Sequence, residues 1–381
     1  MPEIEVLKPD RVFIQQVKAI GGDTLSQCYQ CAACASVCKL APVDRPFPRK
    51  EMILAQWGLK ERLMADPDLW LCHQCNDCSV RCPRGAKPGE VLAALRSYAF
   101  RHFAFPGFMG RALSSPASLP LLLLLPILVI GGLLWFYTGG QFSPLINEPV
   151  DYGKFIPHGY IEMLFIGGNL LIFLFAVVGL LRFWRGMNKS WGGGASIGFV
   201  AAALSAGREI LMHDRFGRCD TNAFRRIAHL LIFLGFFGSM ATAGLALIAM
   251  LMAPGQYPPI PLTHPIKWLG NASGLAMIIG LALVIWQRSA HSDTSGKAGY
   301  SHWLFIWTTL CIALSGMSLQ VWRLMDLPQI AYPVYFFHLL AVFFLLWYAP
   351  YSQLGHMFYR TLAMVFAAGV GRKPREFEKS P

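Results

Sequence analysis

The sequence predicts an all-α protein with a small N-terminal head followed by a bundle of six membrane-spanning helices. Of its 381 residues, 55% are hydrophobic and 14% are charged, a composition typical of membrane proteins. The charges are unevenly distributed, because the N-terminal region is mixed whereas the remainder is dominated by long apolar runs. We therefore expect two domains, residues 1–112 in water and residues 113–381 in the membrane.

Six apolar stretches are long enough to be membrane helices, since a helix needs about 20 apolar residues to cross roughly 30 Å of hydrocarbon. The predicted spans are Ala117–Thr138, Ile161–Leu181, Ile227–Met252, Pro265–Trp286, His302–Trp322 and Val334–Met357. The stretch Ala195–His213 is apolar but interrupted by glycine and arginine, so we expect an interfacial helix there. In the head, the pattern of Arg49–Leu59 also indicates a helix.

Basic residues predict which side of the membrane each loop faces. The formal net charge is +12, and the lysines and arginines gather beside the apolar spans, which indicates membrane topology rather than nucleic-acid binding. The loop Arg182–Arg226 and the C-terminal tail are rich in basic residues, whereas Ala253–Thr263 has none. No apolar signal segment opens the chain. We therefore expect the head and both termini to lie in the cytoplasm.

Eight of the ten cysteines form two copies of the motif CxxCxxCxxxC. This spacing is that of bacterial two-cluster ferredoxins, in which each [4Fe-4S] cluster takes three cysteines from one motif and the fourth from the other. One predicted ligand set is Cys28, Cys31, Cys34 and Cys82. The other is Cys72, Cys75, Cys78 and Cys38.

Zinc and disulfides are the alternatives for these thiols. Zinc sites usually combine two separated pairs of ligands, and closely spaced thiols in a reducing cytosol rarely form disulfides. The proline expected after the fourth cysteine is present as Pro83 but is replaced by Lys39 in the first motif, which affects the local backbone and not the ligand count. Cys219 and Cys311 lie outside the motifs, and we expect ordinary packing or free thiols there.

Histidines in the spans predict a second kind of cofactor, because imidazole is costly inside a bilayer. His338 and His356 are eighteen residues apart in the sixth predicted span, so on one helix they would face the same side about 27 Å apart. His229 begins the third span at the level of His356. Two imidazoles on facing helices can bind a b-type haem, so we expect one between His229 and His356. The alternative is that these histidines bond to lipid headgroups or loops at the interface.

The two halves resemble known redox proteins. With its doubled cysteine motif, the head resembles the small iron–sulfur C subunit of heterodisulfide reductase. The membrane half resembles the cytochrome b subunits of heterodisulfide reductase (its E subunit) and of respiratory nitrate reductase. There, one helix has two histidines ten residues apart and a late helix has two eighteen apart. The segments His229–Ser239 and His338–His356 match these helices, but Ser239 replaces one of the four histidines.

The resemblance implies roles for further histidines. His338 is implied as a ligand of a second haem whose partner is missing at Ser239, and His158 is a candidate substitute. His264 falls at the position of a quinol-contacting lysine, before the family-like segment Gly270–Gly274, and is implied as a quinone contact. The number of haems therefore stays open at one or two.

The fusion of the two halves is similar to the C subunits of the quinone-interacting membrane-bound oxidoreductase complexes (Qmo) of sulfate-respiring prokaryotes. It implies a helical ferredoxin-like head on a cytochrome b bundle in the prokaryotic cytoplasmic membrane. It also implies menaquinone as substrate and cytoplasmic flavin/iron–sulfur partners resembling the A subunit of heterodisulfide reductase. Electrons would then be exchanged between menaquinone and the cytoplasmic enzyme adenylylsulfate reductase.

Three functions are therefore considered. The chain is expected to be the membrane subunit of a quinone oxidoreductase complex, passing electrons in either direction and incomplete as a catalyst alone. No flavin or nicotinamide fingerprint is present, because the glycine-rich Gly192–Gly198 lacks a preceding strand. The alternatives are a membrane subunit of a heterodisulfide reductase-like complex and a non-catalytic membrane-anchored electron carrier.

Overall fold

A computed structural model describes residues 7–141, 146–219, 223–253, 260–290 and 299–374 of the chain. All regular structure in these ranges is helical, so the predicted all-α class is confirmed for the part of the chain described. The C-terminal residues of the basic tail and most of the loop Ala253–Thr263 lie outside the described residues.

The head consists of short helices wrapped around one longer helix. These are α1 Arg11–Val17, α2 Ala33–Ser36, α3 Arg49–Gln56, α4 Lys60–Met64, α5 Asp68–Leu71, α6 Asp77–Val80, α7 Pro88–Phe103 and α8 Gly107–Leu113. The predicted helix at Arg49–Leu59 is thus confirmed as α3. Proline at the first position begins α7, where its missing N–H would be unpaired in any case. Val91, Leu92 and Leu95 on this helix are fully buried, so α7 forms the centre of the head.

The second half contains the long helices. They are α9 Leu119–Thr138, α10 Tyr152–Phe155, α11 His158–Glu162, α12 Gly168–Trp191, α13 Phe199–Met212, α14 Ala223–Met252, α15 Pro265–Ala290, α16 Tyr300–Leu324, α17 Pro328–Trp347 and α18 His356–Gly369. A π-helical turn, Met163–Gly167, joins α11 to α12. By length and composition, six helices of the described chain could cross a membrane: α9, the run α11–α12, α14, α15, α16 and α17. Six spans were predicted at these places.

The sixth predicted span, Val334–Met357, is wrong as a single helix. α17 ends at Trp347, two 3₁₀ turns follow, and α18 begins at His356. Pro350 lies in the first of these turns, where it has no N–H to donate and its ring would collide with the carbonyl four residues earlier in a continuing helix. The expectation that His338 and His356 share one face of one straight helix therefore fails.

The hydrophobic core of the head continues into the second half of the chain. One cluster of buried residues joins head side chains to Phe183 of α12 and to Tyr359 of α18. Trp70 in α5 stacks on Tyr359 with ring centroids 5.0 Å apart and meets Phe100 edge-on at the same distance. α13, where an interfacial helix was predicted, packs along α18 and adds Ala202 to this cluster. The head is thus fixed to the bundle by shared packing.

A buried ion pair fixes the end of the described chain to the head. The Arg372 guanidinium, 2% exposed, donates to both oxygens of Asp68, at 2.6 and 2.9 Å, and to the carbonyl of Arg45. Asp68 also accepts from Lys50 Nζ at 2.7 Å. Each charge in this group is compensated by direct hydrogen bonds, as burial requires.

Within the membrane half, α14 and α15 make the most extensive helix contact. A Cβ atom on Gly235 would lie 2.7 Å from the carbonyl of Ser273, and one on Gly280 would lie 2.8 Å from Ile232 Cγ1. Small residues allow helix backbones to approach this closely in a bilayer. This contact sets the position of α14, which includes His229.

Candidate functional site

The two cysteine motifs fold into matching loops. Each has two residues with positive φ at the same motif positions, Gln30 (62°) and Ala32 (67°) in the first and Gln74 (51°) and Asn76 (65°) in the second. Non-glycine residues rarely adopt this conformation, so its repetition indicates a shared function. Such conformations can turn successive N–H groups toward one concave, anion-binding side. In the second loop, Gln74 N donates to Cys72 Sγ at 3.3 Å.

Four cysteines from both motifs surround one small cavity. Its lining includes Cys38 of the first motif together with Cys72, Cys75 and Cys78 of the second. Burial, reinforced by the charges of Cys72 and Cys75, raises the pKa of the Cys38 thiol to about 12. Bound iron would supply the positive charge that four thiolates need here. The structure thus brings together the four cysteines of one predicted ligand set.

The first motif shows the same mutual influence of its thiols. Burial raises the pKa of Cys34 to about 12, with further contributions from Cys28 and Cys31. Cys82 follows α6, and its Sγ accepts a hydrogen bond from Ala86 N at 3.3 Å. Hydrogen bonds of this kind to ligating sulfur tune the potential of an iron–sulfur cluster.

The spacing of the motif thiols does not suit zinc. Tetrahedral zinc with bonds of about 2.3 Å to sulfur would place its ligands within about 4 Å of one another. In the described chain, the groups of three ligand atoms within 4.8 Å of one another are Cys75–Asp77–Cys219 and Glu51–Asp66–Asp68. Neither contains three motif cysteines, so the motif thiols are spread around larger volumes.

Cys219 is closer to the motifs than its sequence position suggests. It is buried in the shared core, and its Sγ lies within 4.8 Å of Cys75 Sγ and of an Asp77 carboxylate oxygen. A hydrogen bond with Cys219 is the largest of the influences that raise the pKa of Cys75. Ordinary packing or a free thiol was predicted for Cys219, and no local pattern in the sequence could have shown this proximity.

A larger cavity of about 300 Å³ lies between the second cysteine loop and helices α14, α15, α16 and α18. Its apolar lining includes the five phenylalanines Phe216, Phe233, Phe236, Phe237 and Phe305. Its polar lining includes the four arginines Arg96, Arg225, Arg288 and Arg360. No carboxylate lies among the described residues that line it. The cavity therefore suits a largely apolar ligand with negatively charged groups.

Two histidines face each other across this cavity. The ring centroids of His229 and His356 are 6.4 Å apart. A metal ion bonded at about 2 Å to one nitrogen of each ring would place the two centroids roughly 6 Å apart. His356 Nδ1 donates to the Gln353 carbonyl, and His229 Nδ1 lies 3.0 Å from His213 Nε2. With Nδ1 occupied in both rings, each Nε2 is left to bind a metal.

The electrostatic setting of His356 favours a neutral ligand. Burial lowers the pKa of His356 to about 4, and the positive charge of Arg360 acts in the same direction. The ring is therefore uncharged near neutral pH, as a metal ligand must be.

Cys72 and His73 connect the two cavities, since both residues line each of them. The His73 ring is fully buried and accepts a hydrogen bond at Nε2 from Arg360. Arg225 donates to the His73 carbonyl at 3.4 Å and to the Gln74 carbonyl at 2.8 Å. Burial, then the Arg360 charge, lowers the pKa of His73, so it stays neutral. The second cysteine loop is thus held by arginines beside the facing histidines.

Each of these two arginines is one helical turn from a facing histidine. Arg225 precedes His229 by four residues on α14, and Arg360 follows His356 by four residues on α18. Residues four apart lie on the same face of a helix. A third arginine, Arg96, donates to the carbonyls of Leu69 and Cys72 from α7. This convergence was not predicted from the sequence.

The remaining histidines lie in other surroundings. His302 lines the cavity with His229 and His356, although the sequence suggested no role for it. His338 Nδ1 is 2.9 Å from Ser315 Oγ, and its ring packs against Gly316. His158 lies beside Gly153 at the start of α11. His264 Nδ1 accepts from Ile266 N at 3.2 Å, so this ring caps α15.

Comparison with known proteins matches both halves of the chain. Residues 24–86 match the 4Fe-4S dicluster domain family, and residues 111–376 match the family of citrate utilization protein B. Citrate utilization protein B of Escherichia coli is 24% identical over 382 residues, covering 96% of each chain. No solved structure matches the chain.

The head has relatives among the C subunits of heterodisulfide reductases. The C subunit of the H(2):CoB-CoM heterodisulfide,ferredoxin reductase of Methanothermobacter marburgensis is 39% identical over 106 residues, covering 27% of this chain and 54% of that protein. A protein of Archaeoglobus profundus, named as similar to the heterodisulfide reductase C subunit, is 36% identical over 105 residues, covering 27% and 56%. The chain thus spans about half the length of these curated relatives. The predicted resemblance of the head to the C subunit is confirmed, as is an electron-transfer head containing a 4Fe-4S domain.

Proposed function

This chain belongs to the citrate utilization protein B family, and from that premise we propose that it is the membrane electron-transfer subunit of a quinone oxidoreductase complex. In this proposal, haem b and two [4Fe-4S] clusters supply one-electron redox chemistry between menaquinone in the membrane and flavin/iron–sulfur partner subunits in the cytoplasm. The observation that carries the proposal is the position of Cys72 and His73, which line both the four-cysteine cavity and the cavity between His229 and His356.

Three features of the lining support haem b in the larger cavity. His229 and His356 would hold its iron through Nε2, since their ring centroids are 6.4 Å apart and each ring has its Nδ1 occupied. The phenylalanines provide apolar surface for a porphyrin, and the arginines provide charge for its two propionates. Ser239 replaces the histidine that would pair with His338, which favours a single haem over a second one at His338.

The ligands of the two clusters are proposed as the sequence suggested. Cys72, Cys75, Cys78 and Cys38 would hold the cluster nearer the haem cavity, and Cys28, Cys31, Cys34 and Cys82 would hold the other. The exposed Cys31 favours the outer cluster as the one that meets a partner subunit. Partners resembling the A subunit of heterodisulfide reductase remain a proposal, which is supported by the likeness of the head to the C subunit of that enzyme.

Quinone binding is proposed for the membrane half, but its site is not assigned to the cavity. His264 was the predicted contact, and its position at the start of α15 puts it at the end of the bundle away from the head. Its role as a helix cap leaves Nε2 for a quinone carbonyl. With the head in the cytoplasm, that end of the bundle faces the opposite side of the membrane.

The test is a count of haems in purified protein and in histidine variants, by the pyridine haemochrome assay. We expect one haem b per chain in the wild type and in His338→Ala, and almost none in His229→Ala or His356→Ala. Haem retained in both of the latter variants would reject the assignment. Electron exchange is then tested with menaquinol analogues, which should reduce the haem, and with menaquinone analogues, which should oxidise the reduced haem. Failure of both reactions would favour a membrane-anchored carrier over a quinone oxidoreductase.

The pathway is a separate question with two candidates. Dissimilatory sulfate reduction was predicted from the Qmo resemblance, with adenylylsulfate reductase as a partner. The relative that covers 96% of the chain is named for citrate utilization. This name favours a role in accepting electrons from a citrate-related oxidation. Deletion of the gene should then impair growth on citrate and not sulfate respiration; the reverse result would favour the sulfate pathway.

A further inference from the structure

A basic cleft lies where the head meets the membrane half, away from the cysteine and histidine cavities. It has a volume of about 660 Å³ and is lined by residues of α1, α4, α7, α8 and α12. The basic side chains that line it are Lys60, Arg101, His102, Arg111 and Arg182. Among the described residues that line it there is no carboxylate.

The charges in this cleft are largely uncompensated by the protein. Arg101 Nε is buried and has no hydrogen-bond partner. Burial lowers the pKa of Arg101, and it lowers that of His102, where the charge of Glu61 acts against burial and the charges of Lys60 and Arg182 act with it. The described carboxylate nearest to Lys60 belongs to Glu61, 4.0 Å away on a side chain that is 80% exposed. Several cations with one buried, unpaired donor favour an anionic ligand.

The cleft also lies at the predicted surface of the membrane. Arg182 belongs to α12, part of a candidate span, and Arg111 lies in α8, shortly before the first span α9. Phe105 also lines the cleft, with the Arg182 guanidinium carbon 5.3 Å from its ring centroid and the ring of Phe175 in α12 5.6 Å away. Phe108 in the same segment is 59% exposed. Apolar rings beside cationic groups are typical of a protein surface in contact with lipid headgroups.

We propose that this cleft binds the phosphate of an anionic phospholipid headgroup, with the acyl chains lying along α9 and α12. Basic pockets at the ends of membrane helices recognise such lipids through the headgroup charge. Arg101 would donate its unpaired Nε–H to a phosphate oxygen, and Arg111 and Arg182 would flank the phosphate from the membrane side. The apolar ring of Phe105 in the cleft and the exposed ring of Phe108 in the neighbouring helix α8 favour a lipid over an acidic protein. Bound lipid would join the head and the bundle at a second place, apart from the core at Trp70.

The experiment uses the full-length holoprotein in detergent, titrated with phosphatidylglycerol or phosphatidylcholine and observed by native mass spectrometry. The variants are Arg101→Gln and Arg182→Gln. The matched control is Arg185→Gln, an exposed arginine three residues further along α12 that does not line the cleft. Each cleft variant should bind phosphatidylglycerol about fivefold more weakly, which corresponds to about 1 kcal/mol. Phosphatidylcholine binding and the control should not change.

Three results would overturn the proposal. The first is phosphatidylglycerol binding by both cleft variants at the wild-type affinity. The second is saturable binding of inorganic phosphate alone that displaces the lipid, which would make this a free-phosphate site. The third is loss of a co-purifying acidic protein from the variants while lipid binding stays intact. Iron and haem content is measured in every variant, and exposed Arg182 provides the test if Arg101→Gln does not fold.

Discussion

Replacing Arg372 with methionine tests how the end of the bundle is attached to the head. The substitution keeps much of the side-chain volume and removes both hydrogen bonds to Asp68. Breaking a buried ion pair by removing one partner typically costs about 3–5 kcal/mol. We expect the lower end, about 3 kcal/mol, because Lys50 Nζ remains 2.7 Å from Asp68 and still compensates part of its charge.

The measurement is thermal unfolding of the detergent-solubilised protein, followed by tryptophan fluorescence. With an unfolding entropy of roughly 2.1 cal/mol/K per residue over 381 residues, Arg372→Met should lower the melting temperature by about 4 °C. Lys373→Met is the matched control, since Lys373 is adjacent and exposed, and it should melt like the wild type. Adding Asp68→Asn to Arg372→Met should recover part of the loss, because the buried carboxylate is then gone. The reasoning is refuted if Arg372→Met and Lys373→Met melt together.

Three other predictions concern the head and the helix packing. Burial raises the pKa of Glu51 to about 8 against the opposing charge of Lys50, whose Nζ lies 3.3 Å from Glu51 Oε1. The contribution of neutral Glu51 to the free energy of unfolding is fully present below about pH 4.3 and is lost as the pH rises to about 8. Glu51→Gln should therefore reduce the decline of the unfolding free energy with pH by up to about 1.4 kcal/mol per pH unit in this range. Parallel stability curves for wild type and Glu51→Gln would contradict this. Cys38→Ala should alter one of two [4Fe-4S] signals in electron paramagnetic resonance while Cys311→Ala alters neither, and two intact signals in Cys38→Ala would exclude it as a ligand. Gly235→Ala should destabilise the protein by about 1–3 kcal/mol, because the added Cβ would collide with the Ser273 carbonyl. Gly244→Ala is the control, since its Cβ would meet nothing within 4 Å and stability should not fall. Equal melting temperatures of the two variants would argue against the close contact of α14 with α15.

The sequence was informative wherever function depends on spacing along the chain. The CxxC spacing predicted which cysteines would surround each cluster, and the four-cysteine cavity includes Cys38 together with three cysteines of the second motif. Apolar run length predicted six candidate spans because the bilayer fixes how long a span must be. His229 and His356 were paired from their level in the membrane, and the structure places their rings 6.4 Å apart.

Contacts between distant segments could not be predicted in this way. Arg225 and Arg360 approach His73 from helices more than 150 residues further along the chain, and no periodic pattern indicates such contacts. Cys219 is another example, since it lies outside both motifs yet close to Cys75. The prediction of one continuous helix over Val334–Met357 was a different kind of error. Pro350 lies inside that range, and a proline in a helix interior already indicates a break.

The four-residue spacing of Arg225 and His229 limits how this protein can be altered or recombined. Four residues of helix advance about 6 Å, so the donor to the second cysteine loop and the proposed haem ligand move as one rigid body. An iron–sulfur domain transplanted from a relative would have to keep the carbonyls of His73 and Gln74 within reach of that arginine. A flexible linker at the domain boundary could not replace this contact. Exchanges between relatives should therefore succeed when the cysteine loop is transferred together with residues 223–229 and 356–360.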